Sequence, residues 1–398
     1  MTNQLQTDVT IIGGGIVGAS AALALRKMGL AVVLLERDQC GTRSSGVNYG
    51  GVRRQGRPLS QLPLAQRAHA IWGSLPELIG IDGEYLRSGH LKIARSEADM
   101  ASLESYRARS EGFGMDLQLL GTATLRARFP WLGERALGGS WCPQDGHANP
   151  RLVSPAFARA AVRAGADVRE ACRVEHLLHD GRQFVVAAGN GLEVHSRVLL
   201  NCAGAWAGAI AAQFGEPVPM VSSHPVMAVT EPLPMFMTLS LGVEGGGIYA
   251  RQAPRGNCVI GGSQGYALDA DRARPGRDAI TLVLQRTVEL LPKLRHAHII
   301  RTWSGTEGYL PDREPVIGPS STTPGLFHGF GFAGAGFQIG PAVGAVLAEL
   351  VRDGASTTPI GPFSISRYAN RAPAESAAGQ LSARHAVLSP VMSTLPTT

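Results

Sequence analysis

The sequence predicts an α/β protein in which a domain built around a βαβ unit is interleaved with a second, α+β domain built on a mixed sheet. Residues 9–36 have the pattern of a strand, a glycine turn, a helix and a second strand. A strand-like run at residues 194–202 follows an alternating stretch at 174–188, which indicates that the first domain resumes later in the chain. Residues 220–305 are rich in proline, glycine and short strand patterns, and this favours a mixed or antiparallel sheet.

The first βαβ unit carries a glycine pattern with the neighbours that a dinucleotide site needs. An apolar strand at residues 9–12 leads into the turn GGGIVG, and an alanine-rich helix and a second strand follow. Gly13 permits the tight turn, Gly15 lets the backbone approach a pyrophosphate, and Gly18 lets helix and strand pack closely. The N–H groups of the helix N-terminus then face the phosphates. The pattern predicts a Rossmann-type domain, with an ordinary βαβ turn as the less favoured alternative.

An acidic residue closes this unit. Glu36 follows the strand at residues 31–35, where its carboxylate can accept hydrogen bonds from a ribose diol. The same charge would repel a 2′-phosphate, so the sequence disfavours NADP.

Composition narrows the class of protein. A chain of 398 residues favours two domains, and 44% hydrophobic with 17% charged residues suits a soluble globular protein. The net charge of +6 comes from scattered arginines without a basic run, which argues against nucleic-acid binding. Five cysteines without a CxxC pair argue against a disulfide scaffold, a zinc site or an iron–sulfur cluster, so no metal is expected. The apolar stretch at residues 327–350 is interrupted by glycines and a proline, so we expect no transmembrane segment and a cytoplasmic protein.

The remaining periodic segments fill in the two domains. Helical periodicity appears at residues 62–78, 99–112 and 155–165, and strand patterns appear at 226–230, 247–251 and 258–261. We assign residues 7–80, 141–220 and 306–368 to the Rossmann-type domain, 81–140 and 221–305 to the substrate domain, and 369–398 to a loosely ordered tail.

Two more glycine turns point to a large planar ligand. The run at residues 199–206 ends a buried strand in small residues and then Trp206, although an ordinary strand–helix turn explains it equally well. Residues 325–338 form a glycine-dense turn directly before an apolar helix at 339–351. Such a turn can present N–H groups and a positive helix end to the carbonyl edge of a flavin ring.

Taken together, these segments resemble the FAD-dependent D-amino-acid oxidase superfamily over residues 7–368. That group includes glycine oxidase, sarcosine oxidase, D-amino-acid dehydrogenase and the hydroxyproline and opine dehydrogenase subunits. The resemblance implies oxidation of a carbon–nitrogen bond next to a carboxylate, with hydride passing to flavin N5 and an imine as product. It rests on DVTIIGGGIVGASAALALRKMGLAVVLLER, DGHANPRLVSPAFARAAVRAGADV, VLLNCAGAWA, YLPDREPVIGP and GFGFAGAGFQIGPAVGAVLAELV, in this order.

The resemblance also implies a set of FAD contacts, drawn from the first glycine turn, the stretch after the second strand and the two later turns. Because Ala335 occupies a position that often holds a histidine in relatives with covalent flavin, we expect FAD to be bound noncovalently. The implied contacts are Gly13, Gly15, Ile16, Val17, Gly18, Glu36, Arg37, Arg43, Ser44, Ser45, Gly50, Gly51, Val174, Ala203, Gly204, Trp206, Gly305, Gly331, Gly334, Ala335, Gly336, Phe337 and Gln338.

Two departures from the family pattern bear on the substrate. Glu307 stands where glycine oxidase and its nearest kin carry an arginine that pairs with the substrate carboxylate. Gln338 stands where the sarcosine oxidase group carries a lysine. These differences favour the dehydrogenase subunits that act on proline, hydroxyproline or opine-like substrates over glycine oxidase.

A carboxylate substrate then needs another cation, and a guanidinium suits it because its fork can bind both oxygens. Arg53, Arg54 and Arg251 are the candidates, and Arg53 is favoured because it follows the loop expected beside the flavin. Tyr249 could hydrogen-bond the same carboxylate, and Glu307 could pair with a cationic amine. The predicted catalytic set is therefore Arg53, Tyr249, Arg251 and Glu307.

The predicted function is oxidation of a D-amino acid or a secondary amino acid by an FAD-dependent dehydrogenase or oxidase. The resemblance to dehydrogenase subunits also implies small partner subunits that carry electrons away. Three alternatives stay open: an oxygen-using oxidase of the glycine or sarcosine type, an NAD-dependent dehydrogenase with the same fingerprint, and a noncatalytic flavin-bearing subunit. The NAD alternative leaves the C-terminal glycine turn without a role.

Overall fold

The computed structural model describes residues 3–369, and the tail predicted at residues 369–398 lies outside this range except for its first residue. The strands are β1 (Asn3–Ile12), β2 (Val32–Leu35), β3 (Gly51–Val52), β4 (His90–Ala94), β5 (Gln118–Gly121), β6 (Gly138–Cys142), β7 (Gly146–His147), β8 (Asp167–Arg169), β9 (Val174–His179), β10 (Phe184–Ala188), β11 (Leu192–Asn201), β12 (Val221–Ser223), β13 (Pro225–Pro232), β14 (Ser240–Val243), β15 (Tyr249–Gln252), β16 (Asn257–Gln264), β17 (Tyr266–Ala267), β18 (Ala273–Arg274), β19 (Ile299–Ser304), β20 (Glu307–Tyr309), β21 (Val316–Pro319) and β22 (Leu326–Phe330). The α-helices are α1 (Ile16–Lys27), α2 (Ser44–Val47), α3 (Leu62–Trp72), α4 (Leu75–Ile79), α5 (Glu97–Ser110), α6 (Thr122–Arg128), α7 (Pro150–Arg163), α8 (Ala207–Gln213), α9 (Arg277–Leu290) and α10 (Gly336–Asp353).

The first sheet is built on parallel strands from distant parts of the chain. Its order is β21-β22-β11-β1-β2-β8. In addition, β10 pairs antiparallel with β11, and β9 pairs antiparallel with β10. Central β1 runs parallel to both neighbours, with Ile11 opposite Leu200 on one side and Leu34 on the other. Since parallel strands end at the same edge, the turns after β1, β2, β11 and β22 gather there, as is usual for ligand sites of such sheets.

Helices cover the first sheet because small residues allow close packing. Helix α1 packs against α7 and α10, and α10 also packs against α3. A Cβ on Gly340 of α10 would lie 2.7 Å from Ile16 Cγ2, and one on Gly344 would lie 2.6 Å from the Ala21 nitrogen. The apolar pattern of α10 therefore serves burial against α1 rather than membrane insertion, and within residues 3–369 no helix has both the length and the apolar character to cross a bilayer.

The second sheet is mixed, as the sequence predicted. Its order is β19-β13-β16-β15-β14-β4-β6-β5, and its pairs are antiparallel except β14 with β4. Its core includes Leu91, Ile93, Leu241 and Ile260. The predicted α/β fold class with a mixed-sheet second domain is confirmed, and the domain boundaries in sequence stay predictions.

Two predicted helices differ from the observed ones. The helix predicted at residues 62–78 is broken between α3 and α4, where Gly73 and Ser74 separate them. The helix predicted to begin at Pro155 starts at Pro150 instead, because the Asn149 side chain accepts a hydrogen bond from the Arg151 nitrogen at 3.1 Å and caps it. Pro155 therefore lies inside α7.

Candidate active site

A long groove lies along the edge where the parallel strands end. It is walled by the turn after β1, the end of β2, the α2 region, the turn after β11 and the turn between β22 and α10. Most of the cofactor contacts implied by the sequence meet in it. They are Gly13, Gly15, Ile16, Val17, Glu36, Arg37, Arg43, Ser44, Ser45, Val174, Ala203, Gly204, Trp206, Gly331, Gly334, Gly336 and Phe337, together with Glu307.

The first glycine turn is shaped by close backbone contacts. Gly13 has φ +104°, and a Cβ on it would lie 2.3 Å from the Cys202 carbonyl oxygen. A Cβ on Gly18 would lie 2.0 Å from the Gly13 carbonyl oxygen, so this glycine serves the packing of helix on turn. Helix α1 begins after Gly15 without a side-chain cap at that residue, and its first turn carries no acidic side chain. The Ile16 nitrogen at the start of α1 donates to Ser45 Oγ at 3.0 Å, and the positive end of the helix faces the groove.

Glu36 is held rigidly at the end of β2. Its Oε2 accepts a hydrogen bond from the Gly14 nitrogen at 2.7 Å, and its Oε1 accepts one from the Asp38 nitrogen at 2.9 Å. Each carboxylate oxygen has a further lone pair for a ligand hydroxyl. The buried carboxylate is thus positioned for a ribose diol.

One wall of the groove includes an arginine stacked on a tryptophan. The Arg37 guanidinium lies 3.8 Å from the centre of the Trp206 ring, and its Nη1 donates to Asp271 at 2.6 Å. Trp206 Nε1 donates to the Ala270 carbonyl at 3.0 Å. Buried Arg37 Nη2 has no hydrogen-bond partner among the described residues, so it can donate to a ligand oxygen.

Another wall of the groove is the turn before α10, the part expected to face the flavin. Gly331 and Gly334 have φ of +77° and +82°, a conformation that glycine adopts without strain. Ala335 then precedes the first residue of α10, whose N-terminus has no side-chain cap and no acidic residue in its first turn. This places an open helix start at the groove.

Glu307 lines the groove near this turn and contacts Tyr309. A Cβ on Gly334 would lie 3.8 Å from Glu307 Oε2 and 3.5 Å from the Tyr309 hydroxyl, which donates to Glu307 Oε2 at 3.3 Å. Burial raises the pKa of Glu307, and the Tyr309 hydrogen bond and the charges of Arg313 and Arg57 oppose this. Burial, with a further contribution from the Glu307 charge, raises the pKa of Tyr249 as well. Tyr249 packs on the Tyr49 ring with centroids 4.9 Å apart.

Six implied cofactor contacts do not line the groove: Gly18, Gly50, Gly51, Gly305, Ala335 and Gln338. Gly51 is paired with His147 in the small β3–β7 sheet. Gln338 is buried, and its Nε2 donates to the Ala65 carbonyl at 3.0 Å, so it fastens α10 to α3. These placements indicate structural roles, and the contact roles stay predictions.

The three candidate arginines lie in different surroundings. Arg54 forms a buried ion pair with Asp145 at 3.0 Å. Arg251 donates from Nε to the Tyr49 carbonyl at 2.7 Å and lines a separate pocket beyond that residue. Arg53 is half-buried and donates only to the Gln55 carbonyl among the described residues. Arg53 therefore has no carboxylate partner within the described part of the chain, and it remains a candidate for binding the substrate carboxylate.

Comparison with known proteins gives the family. A family model described as FAD dependent oxidoreductase, DAO, matches residues 8–350. The chain belongs to the DAO family of FAD-dependent oxidoreductases. It is 28% identical to glycine oxidase of Geobacillus kaustophilus over 91% of this chain and 97% of that protein, and 28% identical to an opine oxidase subunit of Rhizobium meliloti over 81% and 87%. The crystal structure of L-proline dehydrogenase from P. horikoshii superposes with a TM-score of 0.85 at 25% identity, covering 93% of this chain and 99% of that one.

The groove fits the cofactor of this family. FAD carries a pyrophosphate, a ribose diol and a flavin ring. The groove offers the start of α1 to the pyrophosphate, the Glu36 carboxylate to the ribose diol and the turn at residues 331–337 to the flavin. The buried Arg37 Nη2, which lacks a partner among the described residues, is a further donor for it. FAD is therefore the cofactor, and its noncovalent attachment stays a prediction.

Sequence reasoning did not single out Arg57, a buried arginine on the turn after β3. Arg57 is 6% exposed, and its Nε has no hydrogen-bond partner among residues 3–369. Burial lowers the pKa of Arg57 to about 9, and the charge of Arg53 adds to this effect. The available signal was a third arginine within five residues of Arg53, but its burial depends on tertiary packing.

Proposed function

We propose that this protein oxidises the C–N bond of a D-amino acid or a secondary amino acid, with a proline-, hydroxyproline- or opine-like amine as the favoured substrate. Bound FAD supplies the chemistry by accepting a hydride at N5, and the product is an imine that water hydrolyses. The observation that carries the proposal is the half-buried Glu307 carboxylate beside Gly334, in the wall that faces the flavin end of the groove. A carboxylate there repels a substrate carboxylate and attracts a substrate ammonium.

The chain's own residues divide the work of binding. Glu307 holds the amine through its carboxylate, whose pKa burial raises. Arg53 holds the carboxylate next to the reacting carbon, because its charge has no carboxylate partner among the described residues. Tyr309 orients Glu307 through its 3.3 Å hydrogen bond.

The similarity to a subunit of an opine oxidase also supports small partner subunits as electron acceptors. A glycine- or sarcosine-type oxidase that uses oxygen is the second candidate, favoured by the full-length similarity to a glycine oxidase. The two differ in whether reduced protein is reoxidised rapidly by air with release of hydrogen peroxide.

An anaerobic substrate screen tests the proposal. Purified holoprotein is mixed with proline, hydroxyproline, opines, D-amino acids, glycine and sarcosine, and loss of the visible flavin absorbance is followed. We expect bleaching by secondary amino acids above all. A flavin that none of these amines reduces would contradict the proposal and favour the noncatalytic alternative.

A further inference from the structure

A short hairpin between β16 and α9 reaches from the second sheet to the cofactor groove. It consists of β17 and β18, and its tip is fixed by the Asp269 carboxylate, which accepts hydrogen bonds from the Asp271 and Arg272 nitrogens at 2.9 and 2.8 Å. The Arg272 Nε donates to the same carboxylate at 2.7 Å. These contacts within the hairpin make its tip a rigid unit.

The hairpin is held at its two ends and at its tip rather than by a core. Residues 266–270 are exposed, and a hollow lies between the hairpin and residues 42–47 and 304–306. Gly276, at the end where α9 begins, has φ +73°, a conformation that suits glycine. Because the hairpin itself buries little surface, the contacts of its tip decide whether it stays in place.

The tip holds both members of the Arg37–Trp206 stack. Asp271 Oδ1 accepts a hydrogen bond from Arg37 Nη1 at 2.6 Å, and the Ala270 carbonyl accepts one from Trp206 Nε1 at 3.0 Å. The Asp271 carbonyl also accepts from Arg43 Nη1. Since Arg37, Arg43 and Trp206 all line the cofactor groove, the hairpin fixes three side chains of that groove.

The stacked pair joins opposite sides of the groove. Arg37 follows β2, Trp206 lies in the turn after β11, and β1 runs between these two strands in the sheet. The Arg37 guanidinium lies 3.8 Å from the centre of the Trp206 ring, so the pair spans the end of β1, where the first glycine turn begins. The buried Arg37 Nη2, which has no hydrogen-bond partner among residues 3–369, is free to donate to a ligand at that place.

We propose that the β17–β18 hairpin is a gate for FAD, in which Asp271 keeps the Arg37–Trp206 pair closed. Opening requires that Asp271 leave Arg37 and that the hairpin turn about its two ends. The closing contacts join protein groups to one another, so they oppose the entry of FAD as well as its release. The inference concerns the cofactor and goes beyond the proposed oxidation of an amine.

A two-state gate has a kinetic signature that a simple binding contact lacks. Weakening the closed state raises the population of the open state. The rate constants of FAD association and dissociation then rise together, because both processes use the open state. The Kd of FAD changes less than either rate constant, since the weakened contact does not involve FAD.

Asp271→Asn tests the gate, because it removes the carboxylate charge and keeps the size of the side chain. Association is followed by the change of flavin fluorescence when FAD is mixed with apoprotein. Dissociation is followed by exchange of bound FAD for a large excess of 5-deaza-FAD, whose absorption spectrum differs. We expect both rate constants to rise by roughly tenfold, the effect of losing one charge-assisted hydrogen bond.

A second variant and a matched control accompany this measurement. Trp206→Phe keeps a ring for stacking but loses the donor to the Ala270 carbonyl, and both rate constants should rise here too, by a smaller factor. Asp278→Asn removes the same charge at an exposed position of α9. Because the Asp278 side chain has no hydrogen bond or ion pair among the described residues, both rate constants should stay unchanged.

Proteolysis reports the position of the hairpin independently of the flavin. Arg272 is exposed at the tip, and trypsin cuts after it when the surrounding residues detach from the protein. The masses of the fragments identify the cleaved bond. With FAD bound, we expect Asp271→Asn to be cut there faster than wild type, and Asp278→Asn to be cut at the rate of wild type.

The pattern of rates separates a gate from a contact that merely stabilises bound FAD. Faster dissociation with unchanged association would show that the hairpin only stabilises the complex, and the gate would be wrong. Unchanged rates in both Asp271→Asn and Trp206→Phe would also contradict it, as would equal cleavage of wild type and Asp271→Asn after Arg272. Because no amine enters these measurements, such results would leave the proposed function standing.

Discussion

The Glu307 carboxylate affects both which substrate charge the site favours and how the folding stability of the protein depends on pH. Its pKa is raised mainly by burial, so the folded protein binds a proton at this side chain more tightly than the unfolded chain does. The stability that this difference contributes is fully present below the ordinary carboxyl pKa and is lost as pH rises through the raised value.

Glu307→Gln should therefore stabilise the protein at neutral pH, because it removes the cost of an ionised carboxylate in a desolvated place. Thermal unfolding of wild type and variant is compared between pH 4 and pH 8. We expect the melting temperature of the variant to exceed that of wild type at the upper end, and the gap to close at the lower end. Glu104→Gln, at an exposed position of α5, is the matched control and should show no such trend.

Arg53→Ala should weaken substrate use by roughly 30-fold or more, since loss of a charge-assisted pair in a shielded site typically costs about 2–5 kcal/mol. The measurement is the rate constant of flavin reduction at subsaturating substrate, with normal FAD content. Arg54 is unsuitable as a control because its ion pair with Asp145 is buried, so Arg109→Ala takes that place. A variant that reduces its flavin as fast as wild type would show that the anchor lies elsewhere.

Gly15→Val should abolish FAD binding while the chain still folds. Gly15 has an ordinary φ of −66°, and a Cβ on it meets only Ser45 Oγ at 3.1 Å, so the added side chain projects toward the groove. The ratio of flavin to protein absorbance reports the result. Gly112→Val, at a glycine with open space around it, should keep full FAD content. Full FAD content in Gly15→Val would contradict the role given to this turn.

At the scale of elements, a buried carboxylate joins α8 to the β21–β22 hairpin. Glu216 Oε2 lies 3.0 Å from His328 Nε2 and accepts from the Ser320 hydroxyl at 2.6 Å, and its Oε1 accepts from the Ser321 nitrogen at 2.6 Å. Burial alone would raise its pKa, but these hydrogen bonds outweigh it and lower the pKa to about 2. The hairpin that leads into the flavin end of the groove is thereby fixed against the sheet.

Glu216→Gln should destabilise the protein most at neutral pH. A depressed pKa contributes stability above the ordinary carboxyl pKa, and this stability is lost as pH falls toward about 2. A shift of that size corresponds to about 3 kcal/mol. Urea unfolding at pH 7 and pH 3 is the measurement, and the difference between variant and wild type should shrink at pH 3. A difference that is the same at both pH values would show that the carboxylate charge is not what holds the hairpin.

At the scale of the whole molecule, the features that could be predicted from the sequence are those that depend on short, local residue patterns. Gly13, Gly15, Glu36 and most of the turn at 331–337 belong to the elements they serve, so their spacing in the sequence was enough to predict that they line the groove. The mixed second sheet was likewise predicted by short strand patterns between prolines and glycines.

The residues that sequence could not place depend on contacts between distant segments. The sequence alone does not distinguish the surroundings of Arg54, Arg57 and Arg251. Arg54 is set apart by its ion pair with Asp145, Arg251 by the Tyr49 carbonyl, and Arg57 by a buried Nε that nothing in the described chain accepts from. Gln338 has the position of a groove residue but turns to the Ala65 carbonyl on α3. No periodicity or motif encodes such pairings.

Bound FAD should stabilise the fold as a whole, because the groove is lined by turns from the beginning, middle and end of the described chain. A ligand that binds only the folded state adds about 4 kcal/mol to stability at a thousandfold excess over its Kd. FAD should leave on acid precipitation, since Ala335 offers no attachment atom. The apoprotein should then melt at a lower temperature and regain its melting temperature when FAD is added back. Flavin that stays with the precipitated chain would contradict noncovalent binding, and peptide mapping would then locate the link.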